Sequence, residues 1–347
     1  MKALFLGLGS IGQRHLRNLK KLMPDIEVHA VRRARNVPLL DDKNQVIGGV
    51  NALREAYKIT EHELLDDALN ESPDLVFVTN PSNQHSADTK HVLINSNAIV
   101  FVEKPVSHDL AELAELIDIE KQGRKRVMVG FQMRFNPLLQ HVKRILNASE
   151  IGNVISASFV NSEYMPGWHP YEDYRKSYAA RGDLAGGAVL TQIHDFDYAS
   201  WLLGNPCSLY AVGGKLSKLE IDVEDSVNIL MRSCAAVSQQ PAPINISLDY
   251  LGNPANKSFR IIGDAGQIVG DLLTGKLNIF KFAEPTKSIY DYSSFQRNDM
   301  FISQLKAFLA FASNGTPPPV GLEESQLSLR LALLSKQSMQ KNQMISI

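Results

Sequence analysis

The chain has 347 residues, 44% of them hydrophobic and 21% charged, which predicts a globular protein long enough for two domains. Its 36 Lys and Arg nearly balance its 37 Asp and Glu, so the formal net charge is −1. This balance argues against a nucleic-acid or membrane partner and favours a small-molecule ligand. The cysteines Cys207 and Cys234 have neither CxxC nor Cys/His ligand spacing, so we expect no disulfide framework, no metal site and a cytoplasmic location.

From residue 1 to about residue 133, short apolar runs alternate with helix-like segments. The runs are KALFLGL, IEVHAVR, DLVFVTN, AIVFVEK and RVMVGFQ. Continuous apolar strands between helices are typical of a parallel sheet that is covered on both faces. We therefore predict a doubly wound α/β domain over residues 1–125.

After Asn136-Pro137, strand-like runs follow one another with few helices between them. They are VISASFVNSEY, SLYAVGGKL, SVNILMRS, NISLDYL, FRIIGD and QIVGDLL. This pattern predicts a second domain over residues 126–347 with a largely antiparallel sheet. Two helices are expected in it: GAVLTQIHDFDYASWLLG at residues 187–204, and an amphipathic tail from Glu323 to about Lys341.

The first candidate site is the glycine turn FLGLGSIGQRH. Gly7, Gly9 and Gly12 have G-x-G-x-x-G spacing after the first strand, and Ser10 and Ile11 open the following helix. Glycines there allow a tight turn and close approach to a diphosphate at the positive end of the helix. We predict dinucleotide binding; the alternative is a turn with a structural role alone.

The second strand, IEVHAVRR, ends in arginines where an NAD site usually has a carboxylate. Counting twenty residues from Gly12 reaches Arg32, followed by Arg33. Guanidinium groups there would attract the 2′-phosphate of NADP, so NADP is predicted as the preferred cofactor over NAD. The alternative is that both are solvated loop arginines.

The next strands end in VTNPSNQH and VFVEKPVS, at the edge where open α/β sheets bind ligands. Asn80-Pro81 forms a turn, and Asn83 and His85 either reach the cofactor or cap the next helix. Glu103 and Lys104 end the later strand, and Pro105 restricts the backbone of Lys104. Such a lysine is ordinarily a solvated residue at a strand end.

The second domain carries a histidine, His194, and a loop rich in aromatic and charged residues. A histidine on an apolar helix is either a core residue or a catalytic group. The loop, residues 163–187, has the composition of a sugar-binding surface, although a plain surface loop or a subunit contact is the alternative. The candidate substrate-binding residues are Arg134, His169, Asp173, Tyr174, Arg175, Tyr178 and His194, with Asn136 as a weaker one.

Taken together, these motifs resemble the glucose-fructose oxidoreductase/inositol dehydrogenase/MocA family of NAD(P)-dependent oxidoreductases. The resemblance rests on GLGSIGQRH, NPSNQH, EKP, GFQMRFNP, the GG…IHDFD stretch, EDSV and IIGDAGQIVGD, in this order along the chain. It implies a Rossmann domain followed by an α/β domain with an open mixed sheet. The outer face of such a sheet commonly mediates the formation of homodimers or homotetramers. It also implies hydride transfer at a secondary alcohol of a sugar, inositol or nucleotide-linked sugar.

The resemblance assigns the active-site lysine to Lys104 and the active-site histidine to His194. Many members carry an aspartate four residues before that histidine, where this chain has Leu190. Either His194 works without that carboxylate, or Asp195, Asp197 or a tyrosine replaces it. The pattern HPYEDYR…Y…GG…IH is similar to members that accompany bacterial surface-sugar biosynthesis. Two further alternatives are a non-catalytic dinucleotide sensor and a reductase of a non-sugar carbonyl.

Overall fold

The computed structural model describes residues 1–32, 37–49, 51–123, 126–169, 171–234, 240–284 and 286–347. The chain forms two compact units, each assembled from separate segments. The first holds Met1–Phe131, His169–Asp173 and Phe301–Gln326, and the second holds Gln132–Trp168, Tyr174–Met300 and Leu327–Ile347. The single boundary proposed between residues 125 and 126 lies close to the first change of unit, but the first unit also takes two later segments.

The first unit is built on a parallel sheet. Its strands are β1 (Lys2–Leu6), β2 (Glu27–Val31), β5 (Thr60–His62), β6 (Leu75–Val78), β7 (Ile99–Glu103) and β8 (Val127–Gly130), beside a small ribbon of β3 (Leu39–Leu40) and β4 (Val46–Gly48). Among the described residues, the six-stranded order is β5-β2-β1-β6-β7-β8 with every pair parallel. The chain leaves β1 toward β2 on one side and β6 lies on the other, so the ligand-binding switch point is at β1.

Helices connect these strands and explain why the strands β1, β6 and β8 are almost entirely apolar. They are α1 (Ser10–Leu22), α2 (Ala52–Tyr57), α3 (Leu65–Asn70), α4 (His85–Asn95) and α5 (Leu110–Lys121). The four residues of β6 are all buried, as expected for a strand covered on both faces. The predicted doubly wound domain is confirmed. Its edge strand β5 was not predicted, because the polar sequence TEH lacks the apolar signal.

The second unit contains a larger, mostly antiparallel sheet. Its strands are β9 (Val154–Ser162), β10 (Pro206–Gly214), β11 (Ser226–Ser233), β12 (Pro243–Asp249), β13 (Asn256–Gly263), β14 (Gly266–Asp271), β15 (Lys276–Lys281), β16 (Ser288–Asp291) and β17 (Ile345–Ser346). In the part of the chain that the structure describes, the nine-stranded order is β16-β15-β14-β13-β9-β12-β11-β10-β17. The β9–β12 pair is parallel and the other pairs are antiparallel, so the predicted mixed sheet is confirmed.

The later part of the chain has more helix than predicted. The helices are α6 (Pro137–Asn147), α7 (Ala188–Thr191), α8 (His194–Leu203), α9 (Arg297–Asn314) and α10 (Leu322–Lys341). Short 3-10 turns lie at Gln132–Phe135, Met165–Gly167, Tyr174–Lys176, Tyr178–Ala180 and Gly182–Leu184, and one lies earlier, at Ser82–Gln84 before α4. The predicted tail helix is α10. Asn136 begins α6 as its N-cap, since its side chain accepts hydrogen bonds from the backbone of Leu138 and Leu139.

The expectation for the cysteines was wrong. Cys207 and Cys234 form a disulfide, with their Cα atoms 5.3 Å apart. Cys207 lies in β10 and Cys234 follows the antiparallel neighbour β11, so strand pairing brings together two residues whose spacing gave no signal. Of the helices within the described ranges, none is long and apolar enough to cross a membrane.

Candidate functional site

The turn after β1 brings backbone close to backbone. Gly7 has φ +92°, and a Cβ there would lie 2.8 Å from the Cα of Asn80. A Cβ at Gly12 would lie 2.5 Å from the carbonyl oxygen of Gly7 and 2.8 Å from Thr79 Oγ1. At Gly9, no described heavy atom outside its chain neighbours comes within 4 Å of the Cβ position. Packing therefore requires Gly7 and Gly12, while Gly9 keeps the space before the helix open.

Helix α1 starts at this open space. Gly9 is its N-cap without a side-chain cap, and its first turn carries no acidic residue. The backbone N–H groups at Ser10 and Ile11 therefore lie at the positive end of the helix dipole. This combination fits the diphosphate of a dinucleotide.

The loop after β6 is held together by a buried histidine. His85 Nδ1 lies 2.7 Å from the carbonyl oxygen of Pro105, and its Nε2 lies 2.8 Å from that of Asn80. Burial lowers the pKa of His85, so the neutral ring donates to one of these carbonyls at a time. Pro81 and Asn83 lie partly exposed in the same loop. The ring of His85 joins two ligand-edge loops, and a direct cofactor contact would require one of its bonds to break.

Glu103 and Lys104 occupy the end of β7 in different ways. Glu103 is buried, and its Oε1 accepts a hydrogen bond from His15 Nε2 at 2.8 Å. Its Oε2 accepts from the backbone N–H of Lys104 at 3.3 Å. The Lys104 side chain is partly exposed at this edge. The carboxylate of Glu103 thus anchors the strand end that carries Lys104.

Arg32, at the end of β2, is buried rather than solvated. Its Nη1 donates to Glu61 Oε1 at 2.7 Å, and the arginine side chain is only 4% exposed. Arg33 lies outside the described residues. The alternative of a solvated loop arginine is therefore wrong for Arg32, whose guanidinium is already paired with a carboxylate.

Part of the aromatic loop belongs to the first unit. His169 Nδ1 lies 2.7 Å from Glu172 Oε1, and the rings of His169 and Tyr171 are 5.6 Å apart. Tyr171 is hydrogen-bonded with Ser10 at the start of α1, and burial raises its pKa to about 12. Asp173 is partly exposed in the same segment. This segment, which we call the 169–173 strap, therefore contacts the dinucleotide turn.

In the second unit, His194 is the first residue of a helix rather than part of a continuous one. The predicted helix over residues 187–204 is interrupted after Thr191, and α8 begins at His194. Leu190 thus lies in α7 and His194 begins α8, with the turn residues Gln192 and Ile193 between the two helices. Leu190 is buried with 3% of its surface exposed.

A glutamine contacts the imidazole where an aspartate was expected. Gln132 Nε2 lies 3.1 Å from His194 Nε2. Because an amide nitrogen only donates, His194 accepts at Nε2 and holds its proton on Nδ1. The carboxylate of Asp195 accepts instead from Asn161 and Tyr198. Gln132 is thus the described group that fixes this tautomer.

The substrate candidate Arg134 lies in the same 3-10 turn as Gln132. Its Nε and Nη2 donate to the two carboxylate oxygens of Asp197 at 3.0 and 2.8 Å. Asp197 also accepts from Ser328 Oγ at 3.4 Å. The turn Gln132–Phe135 therefore holds the first turn of α8 at two points, His194 and Asp197.

Both acidic residues beside His194 are buried. Burial raises the pKa of Asp197, and Arg134 offsets part of this effect. Burial likewise raises the pKa of Asp195, against the hydrogen bonds from Tyr198 and Asn161. Both carboxylates are internal partners of other side chains, Asp197 of Arg134 and Asp195 of Asn161 and Tyr198.

The remaining substrate candidates of the second unit are exposed or partly exposed. Arg175 Nη1 donates to Glu220 Oε2 at 3.1 Å, and both side chains are at least half exposed. Tyr174 Oη accepts from the backbone N–H of Glu220 at 3.3 Å, and Tyr178 is partly exposed. The two candidate arginines, Arg134 and Arg175, thus both bind carboxylates of the chain itself.

The structure adds residues that the motifs did not reveal. These are Glu61 beside Arg32, Tyr171 beside Ser10, and Gln132 beside His194. Tyr171 lay inside the aromatic loop and could have been chosen with its neighbours. Glu61 and Gln132 gave no local signal, because each contacts its partner through the fold. Within the described ranges, no cluster of His, Cys, Asp or Glu could hold a metal ion.

Comparisons with known proteins match both the dinucleotide-binding part of the chain and the part that contains His194. A model described as an oxidoreductase family with an NAD-binding Rossmann fold matches residues 1–131, and the GFO/IDH/MocA C-terminal domain matches residues 139–269. The chain is 26% identical over 350 residues to the myo-inositol 2-dehydrogenase of Thermotoga maritima, covering 99% of this chain and 97% of the relative. It is 25% identical over 345 residues to the scyllo-inositol 2-dehydrogenase (NAD(+)) of Bacillus subtilis, covering 96% and 92%.

Solved structures share the fold. The WlbA dehydrogenase from Bordetella pertussis, in complex with NADH and UDP-GlcNAcA, superimposes with a TM-score of 0.80 at 20% identity. The match covers 100% of this chain and 98% of that one.

Proposed function

The chain belongs to the glucose-fructose oxidoreductase/inositol dehydrogenase/MocA family, and on that premise we propose that it moves a hydride between a nicotinamide and a secondary alcohol or ketone of a polyol or sugar derivative. It is an oxidoreductase with an NAD-binding Rossmann domain. The sugar class, including nucleotide sugars, is supported by the inositol dehydrogenases and by the UDP-GlcNAcA complex among its relatives. A role in bacterial surface-sugar biosynthesis is part of the proposal.

The first unit fits the dinucleotide. The open space at Gly9, in front of an uncapped helix start, is where a diphosphate would lie. When bound, the nicotinamide would supply the hydride donor or acceptor. Residues at the carboxyl edge, among them Asn80, Pro81, Asn83 and Glu103, would shape the surface against which it lies.

Proton transfer is assigned to His194, and stabilisation of charge on the substrate oxygen is assigned to Lys104. The observation that carries this assignment is the Gln132–His194 contact, because an imidazole that accepts a hydrogen bond at Nε2 is neutral and can take a proton there. A substrate hydroxyl that replaces the Gln132 N–H would donate to the same lone pair. The Lys104 ammonium would favour negative charge developing on the substrate oxygen.

The experiment is a panel of inositols, free sugars and nucleotide sugars, followed by absorbance of the reduced nicotinamide. Against the best substrate, His194→Asn is expected to lower kcat by about 100- to 10,000-fold and Lys104→Met by a similar factor. Dinucleotide affinity is expected to change little. Matched controls are His91→Asn and Lys90→Met on α4, both partly exposed and paired with acids outside these groups.

Three results would count against this proposal. A substrate turned over equally well by His194→Asn would remove that residue from the reaction. Tight dinucleotide binding with no redox change across the whole panel would favour the sensor over the enzyme. Turnover of non-sugar carbonyls alone would move the substrate to that class.

The choice between NADP and NAD is proposed to lie at Arg32. Its Nε and Nη2 are buried and find no hydrogen-bond partner among the described residues, so the guanidinium keeps donors that its present position leaves unused. A phosphate that reached Arg32 could satisfy them in a bidentate contact. We therefore propose NADP as the preferred cofactor, with NAD accepted.

Assembly into homodimers or homotetramers through the large sheet is also proposed. Val212 and Leu230 lie on neighbouring strands, and they are 56% and 51% exposed. Apolar side chains exposed together on a sheet face favour a contact with another subunit. Sedimentation velocity of Leu230→Lys against wild type would test it, with dissociation as the expected result.

A further inference from the structure

The pair of Arg32 and Glu61 joins two neighbouring strands at the ligand edge of the first sheet. Arg32 follows β2, and Glu61 is the middle residue of the edge strand β5, opposite Ala30. Their side chains meet at 2.7 Å, with the arginine 4% exposed and the glutamate 24% exposed. The carboxylate is thus the more accessible partner, while the guanidinium is almost fully buried.

An adenosine 2′-phosphate and Glu61 would compete for the same cation. Both are anions that bind a guanidinium through its planar donors, and Arg32 Nη1 already serves the carboxylate. For the phosphate to bind there, the carboxylate must give up that donor or lie beside a second anion, which is repulsive in a partly buried site. The unsubstituted ribose of NAD brings no such anion, and its hydroxyls can donate to a carboxylate.

On the basis of the proposed cofactor use, we propose that Glu61 sets the balance between NADP and NAD by holding Arg32 away from the 2′-phosphate. Glu61 is a positioning residue, since it acts through Arg32. In this chain the carboxylate that Rossmann sites commonly place at the end of the second strand is supplied by the neighbouring edge strand. The arginine at the end of β2 therefore favours NADP less than its sequence position suggests.

The test measures binding without catalysis. Adenosine diphosphoribose and its 2′-phosphate derivative are titrated into the full-length protein by calorimetry, so that the two ligands differ only by the phosphate. Glu61→Gln is expected to raise the affinity ratio in favour of the 2′-phosphate ligand by about tenfold, because a neutral amide holds Arg32 less strongly than a carboxylate does and leaves its donors to the phosphate. The amide oxygen of glutamine can still accept from Arg32, which preserves the packing.

Three companion variants separate this effect from a general one. Glu61→Asp keeps the negative charge, so its affinity ratio for the two ligands is expected to stay close to that of the wild type. Glu63→Gln changes the same charge at an exposed position two residues later, and it is expected to leave the ratio unchanged. The double variant Arg32→Gln/Glu61→Gln is expected to have nearly the same affinity ratio as Arg32→Gln alone. This follows because Glu61 acts on the ligand only through Arg32.

The outcomes are distinct. An unchanged ratio in Glu61→Gln, or an equal shift in the Arg32→Gln background, would overturn the inference while leaving dinucleotide binding in place. If neither ligand binds wild-type protein, the proposed cofactor use fails, and the inference fails with it. Because both affinities come from the same preparation, a loss of folded protein lowers the amount bound and leaves their ratio intact.

Discussion

The dinucleotide turn of the first unit and the His194 region of the second hold their functional groups by different means. The turn is made of backbone, and its geometry is decided within the few residues from Gly7 to Gly12. The His194 region depends on side chains 62 and 63 residues apart, the Gln132–His194 and Arg134–Asp197 pairs. A site built from local backbone can be recognised in a sequence, whereas one built from distant pairs becomes visible only when the chain is folded.

The largest expected effect tests the distant pairs. Arg134→Ala leaves the Asp197 carboxylate buried without its bidentate partner, which is expected to lower the free energy of unfolding by about 3–5 kcal/mol near neutral pH. Denaturant unfolding measures it. The control is Arg175→Ala, which breaks an exposed pair with Glu220 and is expected to cost about 1 kcal/mol or less. Equal costs for the two variants would contradict the importance of the buried pair.

The next effect tests the local turn. Gly12→Ala is expected to lower the free energy of unfolding by about 1–3 kcal/mol, because its Cβ would meet the Gly7 carbonyl oxygen. Gly9→Ala has space for its Cβ, so it is expected to leave stability nearly unchanged while weakening NADH binding by about tenfold, or about 1.4 kcal/mol. Thermal unfolding and calorimetric titration measure the two quantities. Stabilisation by Gly12→Ala, the usual result inside an unobstructed helix, would rule out the close approach.

The smallest effect concerns pH and the buried Asp195. Burial raises the pKa of Asp195 above its ordinary value of 3.8, so the folded state keeps the proton to higher pH than the unfolded chain does. Its contribution to stability is therefore full below 3.8 and is lost as pH rises through the folded pKa.

Asp195→Asn removes that dependence and is expected to stabilise the protein near neutral pH by about 1 kcal/mol. Rotation of the Asn161 amide would supply its unused oxygen to the new side chain. Unfolding from about pH 4 to about pH 7 compares the variant with wild type. A difference that stays constant across this range would show that Asp195 does not titrate differently in the folded state.

The sequence predicted the parts of the fold that follow from local pattern. Apolar strands alternating with helices predicted the parallel sheet, and strand-like runs with few helices between them predicted strands such as β11. It missed β5, whose three residues are polar, and α6, whose opening Asn136-Pro137 looked like a boundary rather than a cap and first turn. It also missed α9. This helix follows the strands β15 and β16, and its own apolar residues did not stand out as a helical pattern.

The candidate site divides in the same way. The glycines and the strand ends were found because their roles depend on position along the chain. Arg32 was found but not its partner Glu61, and His194 was found but not Gln132, since both partners come from other elements. Leu190, at the position where an aspartate was expected, lies in α7 and is separated from α8 by two turn residues.

The first unit is assembled from separate segments of the chain, which limits how residues 1–131 could be recombined with the second half of a relative. Phe308 packs against Phe77 and Phe101, with ring centroids 5.2 and 5.5 Å away, and Val129 donates a backbone hydrogen bond to Val320. A recombinant that joined residues 1–131 to a foreign second half would lose these partners along with the 169–173 strap.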